Sequence, residues 1–470
     1  MHILKTWKES DKELIEELKS RSFLDRGIEP EVQRIVEGVE RHGDGAVASY
    51  TLEFDGVRLR TGEFTVKKES IDQARRQVGR RFASVLREIE RNLVSYHRRQ
   101  KPKDWRMDVG NGSSVGERWL PLRRVGLYVP AGKAPLVSTV LMGVVPAKVA
   151  GVKEIVVCSP PTRDGEIDPH ILAACAMLGV KEVYRIGGAQ AIAAMAIGTE
   201  TIPRVDKIFG PGSVYVTMAK KILYGRVGID IVAGPSEILI LADESAEPAF
   251  IAADLLSQAE HGTGREVCVL VTDCDALAEK VRRELERIAD GGSRTADSEI
   301  RNPKSEIPNV REESSRKDAK TQRKAQRGEG AEGVGREKLL SSIIIVITKN
   351  QAEAIEFAND FASEHVEVMV KRASSVARRI RNAGAVFVGR YSPVPIGDFY
   401  AGPNHVLPTG GAAKFLSGLS VVDFMKRVSV VSYTKKSLRS ALPAVVKMAE
   451  VEGLEGHAEA VRIRFRQIAD

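Results

Sequence analysis

Short apolar stretches alternate with amphipathic ones along most of this chain, and that alternation limits the fold more than any other feature. Residues 152–158, 180–186, 206–209 and 229–232 read as strands, separated by helical patterns at 169–178, 189–196 and 214–223. A second series begins with a strand at 238–242, a helix at 248–261, a strand at 266–272 and a helix at 275–288. It resumes with a strand at 342–348, a helix at 351–361, a strand at 366–370, a helix at 374–382 and a strand at 385–388. Strand–helix–strand units of this length predict an α/β fold, with helices packed on parallel sheets. The region up to about residue 100 reads as largely helical, as in Glu88-Ile89-Glu90-Arg91-Asn92-Leu93. Residues 436–470 also read as helical, with Leu442, Val445, Val446 and Met448 on an apolar side, so either end can serve packing or dimerisation.

A chain of 470 residues exceeds what one compact core accommodates, so two or more domains are expected. No apolar run approaches the roughly 18–20 residues of a membrane span, and Met1-His2-Ile3-Leu4-Lys5-Thr6-Trp7-Lys8 is too polar for a secretory signal. The expected compartment is the cytoplasm. Cys158, Cys175, Cys268 and Cys274 form no C-x-x-C pair and fall in apolar patterns, which favours buried thiols over disulfides or thiolate ligands. A metal would then need oxygen and nitrogen ligands.

The net charge of +8 invites a nucleic-acid reading, but its distribution argues against one. Residues 291–338 carry 12 Lys and Arg against 9 Asp and Glu, with no aromatic residue to stack on bases. The segment also contains a near-duplication, Ser298-Glu299-Ile300-Arg301-Asn302-Pro303-Lys304 followed by Ser305-Glu306-Ile307-Pro308-Asn309-Val310-Arg311. So polar a stretch buries too little apolar area to offset its ordering entropy, and is expected to be a mobile surface insertion. Function is expected outside it.

Several constellations have chemical content. In Asp254-Leu255-Leu256-Ser257-Gln258-Ala259-Glu260-His261-Gly262 an apolar helical run ends with Gln258 and His261 three residues apart, on one face of the last turn. An amide oxygen and an imidazole nitrogen supply half of a site for a borderline divalent ion; a solvent-exposed helix end would look the same. Three glycine turns, at Gly187-Gly188, Gly210-Pro211-Gly212 and Gly234-Pro235-Ser236, follow predicted strands. Singly they are tight turns; together they suit an anion such as a pyrophosphate at the carboxyl edge of a sheet. Glu364-His365 closes one helix and leads into a strand, and adjacent side chains there would address different atoms of a substrate, as two proton-transfer steps require. The irregular stretch 391–411 holds aromatics, prolines, Asp398 and His405, which favours a substrate-contacting loop, with Asp398 the carboxylate to add to a metal shell. Glu452 and His457 lie on the C-terminal segment; His2, His42, His97 and His170 belong to no motif and read as surface or structural.

Tyr128-Val129-Pro130-Ala131-Gly132, Gly187-Gly188-Ala189-Gln190-Ala191, Gly234-Pro235-Ser236-Glu237, Ser257-Gln258-Ala259-Glu260-His261, Glu364-His365, Gly397-Asp398 and Gly402-Pro403-Asn404-His405-Val406-Leu407-Pro408-Thr409-Gly410-Gly411 occur together and in one order. In this the chain resembles the histidinol dehydrogenases, over nearly all its length apart from the insertion. The resemblance implies two Rossmann-like α/β domains of the aldehyde-dehydrogenase-like kind with helical N- and C-terminal extensions. It divides the chain into a mainly helical region 1–100, a first α/β domain of 101–127 and 236–418 interrupted at 291–338, a second domain 128–235 on the NAD side, and a dimerisation segment 419–470.

What the resemblance implies in function is oxidation of L-histidinol through L-histidinaldehyde to L-histidine, with NAD and one zinc ion per subunit, in a homodimer with shared active sites. The zinc ligands fall on Gln258, His261, Asp398 and His457, and the catalytic pair on Glu364 and His365. Further substrate contacts fall on Ser236 and Glu452, and NAD contacts on Tyr128, Gln190 and Ser213. Position 213 departs from the family, which usually has Asn there; a hydroxyl is shorter and lacks the separate donor and acceptor of an amide. Ala131 in place of a usual glycine is a milder departure. Glu452 and His457 would act in the partner's site, and neither nucleic acid nor membrane is an expected partner. A zinc hydrolase would also use a metal with Glu-His but leaves the glycine turns and Tyr128 without a role; a binding protein that has lost catalysis would not be expected to keep every one of these side chains.

Overall fold

The computed structural model describes residues 1–21, 26–131, 134–260, 265–289 and 340–466. The expected insertion at 291–338 and the candidate ligand His261 lie outside the described residues.

Two parallel sheets repeat one topology. The first joins β4 (Arg124–Tyr128), β5 (Glu154–Ser159), β6 (Glu182–Arg185), β7 (Lys207–Phe209) and β8 (Gly228–Ile229) in the order β6-β5-β4-β7-β8. The second contains β9 (Glu237–Ala242), β10 (Val267–Thr272), β11 (Ile343–Ile347), β12 (His365–Met369) and β13 (Ala385–Val388) in the order β11-β10-β9-β12-β13, with β1 (His2–Lys5) added beside β11. In each, the earliest of the five strands is central and the fourth returns to its other side, which is the 3-2-1-4-5 order of a doubly wound nucleotide fold. This bears out the α/β reading. A third, antiparallel sheet joins β2 (Trp105–Gly110), β3 (Ser113–Pro121) and β14 (Met425–Ser432).

Both faces of the second sheet are covered, so its central strands are continuous apolar runs rather than alternating ones. Ile238 and Ile240 of β9 pack with Ile251 and Leu255 of the helix Pro248–Ala259 and Val281 of the helix Asp275–Ala289. Leu239 and Leu241, on the opposite face, pack with Ile15 of the helix Glu9–Lys19 and Ile355 and Phe357 of the helix Gln351–Phe361. Each fully buried aliphatic side chain contributes about 1.5–3 kcal/mol, which makes this sheet a rigid base for whatever sits at its edges.

Several expectations needed correction. The first sheet takes in Arg124–Tyr128 as its central strand, so it begins before the expected boundary at 128. The strand expected at 229–232 is only Gly228–Ile229. The helix expected at 374–382 stops at Ala377 because Asn359, from the neighbouring helix, captures the next peptides. Its Oδ1 accepts from the N–H of Arg381 at 2.6 Å and its Nδ2 donates to the Arg379 carbonyl at 3.1 Å. The helix Val137–Ala150 is apolar on all sides and buried, so no period betrays it. All four cysteines are free, and Cys158, Cys175 and Cys268 are buried as expected. The C-terminal segment forms the helices Lys435–Val451 and Glu455–Arg462.

Candidate functional site

The Glu364-His365 pair sits at the amino edge of the second sheet, where β9 and β12 lie side by side at its point of reversal. The helix Gln351–Phe361 ends in Ala362, which adopts a left-handed conformation (φ 52°) unusual for a residue with a Cβ. That turn brings the chain into β12 within three residues, with Glu364 and His365 buried at its mouth.

Both side chains are held by the main chain of one residue, Glu237. The Glu237 N–H donates to Glu364 Oε2 at 2.9 Å, and the Glu237 carbonyl oxygen lies 3.0 Å from His365 Nδ1. A carbonyl only accepts, so Nδ1 carries the proton and Nε2 is the basic nitrogen of the neutral ring. Nε2 is buried without a hydrogen-bond partner among the described residues; Asp398 Oδ1 stands 3.5 Å away, a charge contact rather than a strong hydrogen bond. Burial pushes the Glu364 carboxyl up to about 7, partly opposed by the His365 charge and the Glu237 N–H. For His365 burial acts downward, but Glu364 and Asp398 outweigh it and raise the ring to about 9. Two adjacent proton-transfer groups, raised to about 7 and about 9, are what general acid–base chemistry uses.

Glu237 itself is fully buried and neutralised by Arg21, whose Nε and Nη2 each meet one carboxylate oxygen at 2.6 Å. Its Oε1 also accepts the Gly410 N–H at 3.1 Å, tying the end of the 391–411 stretch to the site. Within that stretch the helix Val394–Phe399 carries Asp398, and the His405 ring Nδ1 lies 3.2 Å from the Asp398 carbonyl. Ser236, half-buried, immediately precedes the clamping residue Glu237. The structure thus gathers Ser236, Glu364, His365 and Asp398. Sequence reasoning found these four and missed the roles of Glu237 and Arg21; Glu237 stands in a quoted motif, whereas Arg21 lies in a region with no signal.

Gln258 is buried on the helix Pro248–Ala259, and its amide nitrogen has no partner among the described residues. A buried orphan amide calls for an occupant, and the Gln, Asp and His donor set suits a borderline divalent cation such as zinc. Glu452, in the turn after the helix Lys435–Val451, and His457, on the helix Glu455–Arg462, are exposed. Among the described residues no group of three or more His, Cys, Asp or Glu side chains is close enough to hold a metal ion. Gln258 and Asp398 therefore form part of a shell at most within the described residues of one chain.

The nucleotide candidates cluster at the carboxyl edge of the first sheet, at its own reversal between β4 and β7. Tyr128 ends β4, and its hydroxyl oxygen accepts the Gly188 N–H at 3.1 Å. Gly210, just after β7, has φ 113°, and a Cβ there would lie 2.1 Å from the Tyr128 carbonyl oxygen, so only glycine fits. Gln190, in the helix Gly188–Ile197, is fully buried, and neither amide atom has a partner among the described residues. Ser213 caps the helix Val214–Leu223 through a long 3.5 Å contact from the Val216 N–H. Two helix N-termini and an unsatisfied amide at a sheet's reversal point fit a dinucleotide.

The model of the family described as histidinol dehydrogenase matches residues 19–313 and 309–465. The histidinol dehydrogenase of Geobacillus kaustophilus is 43% identical over 460 residues, spanning 96% of this chain and 99% of its own length. That of Bacillus cereus is 42% identical over 449 residues, spanning 96% and 95%. The chain belongs to the histidinol dehydrogenase family. The crystal structure of histidinol dehydrogenase from Elizabethkingia anophelis superposes with a TM-score of 0.84 at 33% identity, over 99% of this chain and 98% of that one. Membership makes the chain an oxidoreductase. No helix among the described residues is long and apolar enough to cross a membrane.

Proposed function

We propose that this chain oxidises L-histidinol to L-histidine through L-histidinaldehyde, a four-electron reaction closing histidine biosynthesis in the cytoplasm. The observation that carries the reading is the clamp of Glu364 and His365 on the main chain of Glu237, which leaves His365 Nε2 buried and facing Asp398. When bound, zinc would fix the substrate's imidazole and amine, and NAD would accept hydride at each oxidation. Gln258, His261 and Asp398 would hold the zinc, with His457 of a second copy.

In the neutral form of its ring, His365 takes the hydroxyl proton on Nε2 as the alcohol carbon loses hydride, giving the aldehyde. Glu364, whose carboxyl exchanges its proton near neutrality, then removes a proton from water as it adds to the aldehyde carbon. The hydrate loses a second proton and hydride to give the acid. Ser236 and Glu452 contact the substrate, and Tyr128, Gln190 and Ser213 hold the cofactor. Homodimer formation is supported by the exposed apolar residues Val431, Met448 and Val451 on the segment that carries Glu452 and His457.

Metal analysis tests the ligand set. The parent should hold one zinc per subunit, and His261→Ala and Asp398→Ala should each lose it while remaining folded. Stoichiometric zinc in either variant would contradict the assignment.

A further inference from the structure

Directly beneath the candidate site lies a second acidic pair that the chemistry above does not use. Glu367 is 1% exposed and lies two residues after His365 on β12, so both side chains project from the same face of the strand. Asp254 lies four residues before Gln258 on the helix Pro248–Ala259, one turn away on the same side. The Asp254 and Glu367 carboxyl groups are hydrogen-bonded to each other. Glu367 Oε1 also accepts the Val394 N–H at 2.8 Å. Val394 begins the helix Val394–Phe399, and Asp398 lies one turn further along it. Each site residue therefore has a member of this cluster one structural repeat away: Asp254 for Gln258, Glu367 for His365 and the Val394 amide for Asp398.

A hydrogen bond between two carboxyl groups needs one shared proton, since two carboxylates offer no donor. Burial, reinforced by the neighbouring Asp254 charge, holds the Glu367 carboxyl well above the usual range, consistent with that state. Glu367 Oε2 has no N–H or hydroxyl donor among the described residues, and Asp254 is the side chain hydrogen-bonded to the Glu367 carboxyl.

We propose that the Asp254–Glu367 carboxyl pair is a positioning device that locks the elements bearing Gln258, His365 and Asp398 in register for substrate and metal. The proposal rests on the ligand assignment above, and its test separates the two. Glu367→Gln keeps an oxygen for the Val394 N–H and an N–H for Asp254, and should match the parent within about twofold in zinc affinity and histidinol KM. Glu367→Ala should weaken zinc by about 10- to 100-fold and raise the histidinol KM, with the KM for NAD unchanged. Asp254 is only half-buried, so Asp254→Asn and Asp254→Ala supply a second comparison should Glu367→Ala fail to fold, the former parent-like and the latter weakened. Amide hydrogen exchange in chelator-treated protein gives a readout independent of metal: Val394 should be protected in the parent and Glu367→Gln and lose protection in Glu367→Ala. Equal Val394 protection in all three, parental zinc affinity in Asp254→Ala, or a Glu367→Gln as impaired as Glu367→Ala would each overturn the proposal. A parent that takes up no zinc would instead count against the ligand assignment, and the exchange data would still decide the role of the pair.

Discussion

His365 is joined to Glu237 by a hydrogen bond from ring Nδ1 to the main-chain carbonyl, 3.0 Å long, and this contact leaves Nε2 as the nitrogen that can take a proton from substrate. The same residue donates its main-chain N–H to Glu364. One strand residue therefore orients both proton-transfer groups, while its own side chain is buried against Arg21.

Arg21 should then matter more than its place at the start of the chain suggests. Arg21→Ala leaves the Glu237 carboxylate buried and unpaired, at a cost of about 3–5 kcal/mol. Chemical denaturation should show a loss of that size, and Arg21→Lys, which cannot reproduce the two-point contact, should restore only part of it.

The acid–base pair gives the metal-free protein a defined pH dependence. The folded values of both groups lie above their ordinary ones, at about 7 for Glu364 and about 9 for His365. The stability each contributes is complete below about 4.5 and about 6.5 respectively, and is lost as pH rises through about 7 and about 9. Chelator-treated protein should melt at a lower temperature at pH 9.5 than at pH 6. The Glu364→Gln/His365→Asn double variant should show a smaller difference; an equal one would place the titration elsewhere.

Gln190 should trade stability for cofactor binding. A fully buried amide with neither atom paired costs about 1–3 kcal/mol, and leucine is nearly isosteric. Gln190→Leu should raise Tm while raising the KM for NAD about tenfold or more. A variant with raised Tm and unchanged KM would remove Gln190 from the cofactor site.

Ser213 offers the converse test. Asparagine caps a helix as well as serine does, so Ser213→Asn should keep the Tm of the parent while an added amide lowers the KM for NAD. Ser213→Ala should cost about 1 kcal/mol of stability from the lost cap. Thermal melts and NAD titrations of the two variants separate capping from cofactor contact.

The alternation of strands and helices was enough to predict both α/β series, because parallel strands covered on both faces leave continuous apolar runs. It did not reveal the antiparallel sheet: β2 is exposed along its whole length and shows no alternation of buried and exposed positions. Nor did it place the end of the helix Ala373–Ala377, which is set by Asn359 across a tertiary contact. In the site, Glu364 and His365 were legible as an acid–base dipeptide where a helix leads into a strand, and Asp398 as the carboxylate of an irregular stretch. Arg21, Asp254 and Glu367 were not, since their roles come from partners between 113 and 216 residues distant in the chain. The side-chain pairing of Asp254 with Glu367 appears only once the Pro248–Ala259 helix is laid against β12.

The central claim is a double oxidation of histidinol at a zinc site, and the most direct test is the yield of NADH per histidinol consumed. Purified protein given limiting histidinol and excess NAD should form two NADH for each histidine produced, stop when zinc is removed by a chelator, and recover when zinc is returned. Absence of NADH, or a yield of one with histidinaldehyde released as the end product, would contradict the account.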